Sequence, residues 1–146
     1  MNPRTKARQS LVQASYQWLL TEQPAAEIMD QFICDRDMEN TDVPYFQELL
    51  PEILVHKPSL VDLMTPFLSR PFAQVDPVEQ AVLLVSTYEL QYRMDVPYKV
   101  VINEGVELAK TFGAEEGHKF INGILDKVAL SVRETEVKAK QKKRKK

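Results

Sequence analysis

The stretch "GAEEGHKFINGILDK", residues 113–127, gathers Glu115, Glu116, His118, Lys119, Asn122 and Asp126. Side chains of these types carry acid–base catalysis, metal ligation or polar recognition. Nucleophilic catalysis needs a Ser, Cys or Lys activated by a neighbouring base. The single cysteine, Cys34, is far off in sequence on an amphipathic segment, where a small core residue is its simplest role. A zinc site wants three or four ligands, and the only histidines, His56 and His118, fall on different helical segments. No HExxH, CxxC or P-loop pattern occurs. Glu115 and Glu116 stand where a helix begins, and its positive end accounts for them. Asp126 and Lys127 are adjacent, so on a helix they do not face each other. The expectation is no catalytic residue, no metal and no cofactor: the chain is not an enzyme.

What remains is Lys119 beside Phe120. As a surface pair they offer a cation for a phosphate and a ring on which a base stacks, worth ~1–3 kcal/mol per base. The alternative places Phe120 in the core and leaves Lys119 solvated, since an aromatic at helical period is usually buried.

The elements that must position this pair read as helices nearly throughout, and no strand is predicted. The first covers Pro3 to Thr21, with Ala7, Leu11, Val12, Ala14, Ser15, Trp18 and Leu19 on one face. Arg4 and Arg8 fall on that same face, where burying a charge is costly. Its first turns are therefore expected to overhang the core and offer both arginines to solvent or a partner. The plainer alternative is a pair of solvated terminal charges. A second helix covers 25–36. A third starts at Asp42, a good cap with Pro44 just inside, and Pro51 should kink or split it. A fourth runs from Pro58 to Ser69, with Pro66 distorting its last turn. Residues 76–93 form the clearest helix: Asp76 caps, Pro77 is pre-set, Glu79 completes a capping box, and apolar residues surround it. The next opens at Pro97 and closes at Gly113, with Glu104 as a partly buried carboxylate tying down a neighbouring helix end. The last covers 115–133, where Gly123 either permits close helix contact or simply weakens the helix. The result is all-α: a compact single domain of about seven helices in two packed layers.

Composition agrees with a self-sufficient core, at 146 residues and 44% apolar. No apolar run reaches the ~18 residues of a membrane span, and no secretory signal follows the basic N-terminus. One cysteine excludes an internal disulfide framework and points to a reducing compartment, the cytoplasm. The net charge of −2 conceals a division: residues 9–137 carry −12, residues 1–8 hold Arg4, Lys6 and Arg8, and residues 138–146 hold seven basic residues. An electronegative body with basic ends fits two partners of opposite charge. Two domains of behaviour follow: residues 1–133 as the helical unit, and 134–146 as a basic, disordered tail.

Several motifs in combination resemble the NusB family of bacterial transcription antitermination factors. They are "ARQSLVQASYQWLL" (7–20), "YFQELL" (45–50), "LMTPFLSR" (63–70), "VEQAVLLVSTYEL" (78–90) and "DVPYKVVINEGVELAKTFGAEEGHKFINGILDK" (95–127). The resemblance spans about residues 4–133, and the last motif is the most specific. It implies an all-helical fold with two helical subdomains and no catalysis. It implies pairing with NusE, a small-ribosomal-subunit protein, and binding of single-stranded boxA RNA in ribosomal RNA transcripts. The RNA polymerase antitermination complex is the wider partner, helped to resist termination, with no membrane involved. The family's arginine-rich segment corresponds to Arg4, Lys6 and Arg8, with Thr5 where an arginine is usual. Its Lys–Phe pair corresponds to Lys119 and Phe120, and Glu116 to an acidic residue beside the RNA. For the NusE face the resemblance points to Tyr16, Phe67 and Glu79. A homodimer is an open alternative for the free chain. Other NusB-like domains head ribosomal RNA cytosine methyltransferases, but this chain ends at Lys146 with no catalytic domain expected. A helical adaptor that binds only protein is a third reading. The basic tail from Lys138 lies beyond what the resemblance covers.

Overall fold

The computed structural model describes residues 2–113 and 116–144, with the side chain of Arg144 excepted. Glu115 lies outside them. Eight α-helices and two 3₁₀ turns make up the described residues: α1 (Pro3–Thr21), α2 (Ala25–Asp35), α3 (Val43–Val55), α4 (Lys57–Met64), α5 (Pro77–Tyr92), α6 (Tyr98–Phe112), α7 (Gly117–Val132) and α8 (Glu134–Arg144). The turns, Thr65–Phe67 and Phe72–Gln74, follow α4, and the first contains Pro66 as anticipated.

Asp76 caps α5 by accepting from the Val78 and Glu79 N–H groups, at 2.9 and 3.4 Å. The reciprocal bond from Glu79, which would complete a capping box, is not formed among the described residues. Every residue from Gln80 to Leu90 is buried, so α5 is the central element that the apolar run demanded. α1 packs along one side of it, and α6 and α7 along the other. α2 and α3 close over α1, forming one helical group, while α5, α6 and α7 form the second. Gly105 makes the second group tight: a Cβ there would lie 2.8 Å from Leu125 Cδ1 and from Ser86 Oγ. Gly123, the glycine singled out from sequence, has open space around it instead.

Three expectations are corrected. Pro51 does not split α3; the helix runs on to Val55. The carbonyl that loses its donor belongs to Gln47, on the exposed side, where solvent can replace it. Cys34 is exposed and not a core residue. And the basic tail is ordered as α8 up to residue 144.

The reason for that last difference is Arg133. It is 4% exposed, and its guanidinium donates to four carbonyls: Leu90 O (2.8 Å), Val96 O (2.7 Å), Glu89 O (3.0 Å) and Arg93 O (2.8 Å). They lie at the end of α5 and in the turn after it, and the Glu89 and Arg93 carbonyls also accept the Arg93 and Val96 N–H groups. Its Nη1 also pairs with Glu136 Oε1 at 3.0 Å, and Glu136 Oε2 accepts from the Tyr98 N–H at 2.9 Å. Val137 is buried beside them. Arg133, Glu136 and Val137 thus dock the first turn of α8, so composition alone did not decide its order.

Arg133→Ala is expected to cost roughly 3–5 kcal/mol, because buried carbonyls and Glu136 lose a shared partner. Urea denaturation measures it; a loss below about 1 kcal/mol would mean that water reaches those carbonyls. Glu136 tests the same joint by pH. Burial opposes its charge, but the Tyr98 N–H and Arg133 win and hold its carboxyl below the ordinary range. The stabilisation is therefore complete above the unfolded carboxylate's pKa and fades as pH falls through the folded one. Protection of the Tyr98 amide from hydrogen exchange should fall with acid in wild type and be low at all pH values in Glu136→Ala.

Candidate nucleic-acid interface

α1 positions the amino-terminal basic residues. Asn2 caps it by accepting from the Arg4 N–H at 2.7 Å. Arg4 is half-buried: its Nη2 lies 3.3 Å from Asp42 Oδ2 and its guanidinium sits 4.0 Å from the Tyr45 ring centre. Lys6 donates to Glu39 O at 3.3 Å, on the neighbouring side of the helix.

Arg8 departs from expectation. It does not overhang the core but is 3% exposed within it. Its guanidinium meets Glu89 from α5 in a fork, at 2.9 Å through Nε and 3.0 Å through Nη2, and Glu104 from α6 at 3.1 Å. Tyr45 donates to Glu89 Oε2 at 2.5 Å. Thr5, where the family pattern has arginine, donates to Glu104 at 2.7 Å. Burial works against the Arg8 charge, yet the Glu89 hydrogen bond and both carboxylates outweigh it and raise its pKa. Burial and Glu89 together push the Tyr45 hydroxyl far up, so it stays a donor at any physiological pH. The physical reason for the correction is that α5 supplies a buried carboxylate at the depth of Arg8, which no one-helix projection reveals. A cleft of about 470 Å³ opens here, but its wall carries Asp42, Asp95 and Glu104 beside Arg4.

The second group lies at the start of α7. Lys119 and Glu116 form an exposed ion pair at 3.1 Å, with 71% and 77% of their side chains accessible. Phe120 is half-buried and packs against the core from its inner side. Phe120 is thus neither fully buried nor fully open, and Lys119 next to it in sequence is exposed. His118 is half-buried and Asp126 is exposed, its carboxyl pushed up by partial burial. Among the described residues no three His, Cys, Asp or Glu side chains are placed to hold a metal. No helix among them is long and apolar enough to cross a membrane.

The three residues expected to meet a protein partner stand on separate elements, α1, the first 3₁₀ turn and α5. Tyr16 lines an apolar cleft of about 480 Å³ with Leu20, Val78 and Phe112. Glu79 follows Val78 on α5, and its carboxylate lies against Gly117, where an added Cβ would come within 2.8 Å of Oε1. Burial and then the Asp76 charge raise the Glu79 carboxyl, against a smaller pull from Arg70. Phe67 sits half-buried on the 3₁₀ turn that also packs against α7. Glu79 thus joins the apolar cleft to the turn carrying Glu116 and Lys119, while Arg4 and Lys6 occupy separate clefts on α1.

A family model described as the NusB family matches residues 5–130. The chain belongs to the NusB family. It is 53% identical to the transcription antitermination protein NusB of Shewanella halifaxensis over 125 residues, 86% of this chain and 93% of the relative. The Yersinia pestis protein of the same name is 52% identical over 130 residues, covering 89% and 94%. NusB from T. maritima superposes with a TM-score of 0.81 at 26% identity, covering 93% of this chain and 97% of that one. A crystal structure of antitermination factors NusB and NusE in complex with dsRNA also matches, with TM-score 0.81 at 23% identity, over 90% and 98%. Relatives of the chain in this family carry the name transcription antitermination protein, a non-catalytic role.

Sequence reasoning missed Glu89 and Arg133, the two buried charges that organise the NusB fold here. The available signal was a carboxylate inside an otherwise apolar helix, "VSTYEL", which demands a cationic partner. Arg8→Ala is expected to destabilise by roughly 3–5 kcal/mol, since it leaves Glu89 buried and unpaired. Thermal or urea unfolding measures it; a change within about 1 kcal/mol would show that Glu89 finds another partner or is not desolvated.

Proposed function

We propose that this chain is a non-catalytic antitermination factor that, paired with NusE, binds single-stranded boxA RNA and helps RNA polymerase resist termination. The observation that carries this reading is membership of the NusB family across residues 5–130, with relatives named as transcription antitermination proteins. The geometry supports it at the start of α7. Lys119 meets a phosphate, and the Phe120 ring takes a base, the sequence-tolerant contact that single strands use. Glu116 works against both, because it neutralises Lys119 and repels phosphate. Arg4 and Lys6 add phosphate contacts from their own, separate clefts on α1. Arg8 acts as a positioning residue that holds α1 in place through Glu89 and Glu104.

Tyr16, Phe67 and Glu79 face NusE. The −12 charge of residues 9–137 opposes a polyanion, and a basic partner seated on that face relieves the repulsion. The apolar cleft beside Tyr16 is the surface that either NusE or a second copy of this chain covers. The cytoplasm is the compartment where a nascent transcript and these partners meet.

Affinity for a short boxA RNA is expected to be weak for the chain alone, stronger with NusE, and to fall with salt; affinity that ignores both NusE and salt would sink the reading. Glu116→Gln should strengthen RNA binding severalfold while leaving the unfolding midpoint unchanged, since an exposed pair is worth ~0–1 kcal/mol. Phe120→Ala should weaken RNA binding by ~1–3 kcal/mol. Unchanged RNA affinity in Phe120→Ala alongside a large stability loss would make the ring purely structural.

A further inference from the structure

A second cleft, of about 630 Å³, runs between α6, α7 and α8 and is not used by the boxA contacts above. Lys99 reaches it from α6, Lys127 from α7 and Lys140 from α8. Asn103 and Asn122 add amides, and Asp126 is the single carboxylate among the described residues that line it. A wall of three lysines is an exception on a body of net charge −12. The wall is built and not incidental, because Arg133, Glu136 and Val137 clamp the first turn of α8 against α6. On α7, Lys119, Asn122 and Asp126 recur at spacings of three and four, so they share one face. The cleft therefore opens about 4.5 Å beyond Lys119 along the same helix, at Asn122, and reaches Asp126 about 10 Å on. Past it, Lys138, Lys142 and Lys143 stand exposed on α8. The family match stops at residue 130, before α8 begins.

We propose that this cleft and α8 form a second, sequence-indifferent RNA track, which takes the phosphodiester backbone of transcript flanking boxA. The inference rests on the reading that boxA is held at Lys119 and Phe120. A polyanion whose charge repeats along its length suits lysines spread over three helices. Tyr98, Ile102 and Val137 form the floor of the cleft but are themselves buried, while its rim is set by Leu130, 47% exposed, and the lysines. Continuity with Lys119 gives the strand one direction of travel. Asp126 is the opposing charge among the residues that line the cleft.

The complex of the chain with NusE is titrated, across a salt series, with minimal boxA RNA, with boxA extended by polyuridine at either end, and with polyuridine alone. Lys127→Gln combined with Lys140→Gln is expected to leave minimal boxA affinity unchanged and to weaken extended RNA. Its salt slope should shrink by about 1.4, at ~0.7 for each phosphate that is no longer neutralised. Asp126→Asn should tighten extended RNA severalfold, a gain that misfolding does not produce. Extended-RNA affinity and slope that ignore all three substitutions would overturn the track and leave boxA binding standing. Lysine-dependent binding of polyuridine with no binding of minimal boxA would remove the boxA reading and keep the track. Failure of all three RNAs to bind would overturn both.

Discussion

The buried contact between Arg8 and Glu89 is the constraint on which the arrangement rests. It joins α1 to α5, the helix at the centre of the domain, and draws in α3 through Tyr45 and α6 through Glu104. Burying two charges is unfavourable unless they are paired and their remaining hydrogen-bonding capacity is filled. Here Glu89 accepts from Arg8 on both oxygens and from Tyr45. The network is thus satisfied, and it admits one register of α1 against α5. Apolar packing by Ala7, Leu11 and Ala14 supplies adhesion but tolerates sliding; a forked guanidinium–carboxylate contact does not.

Arg133 does for the other end of α5 what Arg8 does for its middle. Four carbonyls from a helix end and the following turn converge on one guanidinium. That convergence has a consequence for the surface, because the same residue holds Glu136 and hence the start of α8. A segment of strongly basic composition becomes a helix with a defined origin and direction. Its lysines are then presented beside α6 and α7 and not free to wander.

The charge division shapes recognition in a similar way. Arginine and lysine at the two termini are not equivalent once folded. Arg8 is consumed by the interior, Arg4 is stacked on Tyr45 and paired to Asp42, and Lys6 holds a loop carbonyl. Exposed cations on α7 and α8 include Lys119, 71% accessible, Lys127 and Lys140. Thr5 illustrates the trade: its hydroxyl fixes Glu104, where an arginine would add a charge to the arm. The α1 surface is accordingly less cationic than its sequence, and the α7 to α8 side more so.

Helix content, most boundaries and the centrality of α5 are legible in the chain itself, because apolar spacing, Asp42 and Asp76 caps and proline positions act over a few residues. The same locality explains the exposed Lys119–Glu116 pair, which follows from three-residue spacing on one helix. What the chain alone left open concerns depth and distance. Whether Arg8 overhangs or is buried depends on Glu89, 81 residues away, and whether α8 is ordered depends on carbonyls about 40 residues before Arg133. Gly105, and not Gly123, proves to be the close-contact glycine because α5 and α7 meet over it. Local pattern determines which face of a helix is apolar, but only tertiary packing decides which charges meet a partner inside, since that requires two distant segments to arrive at the same depth.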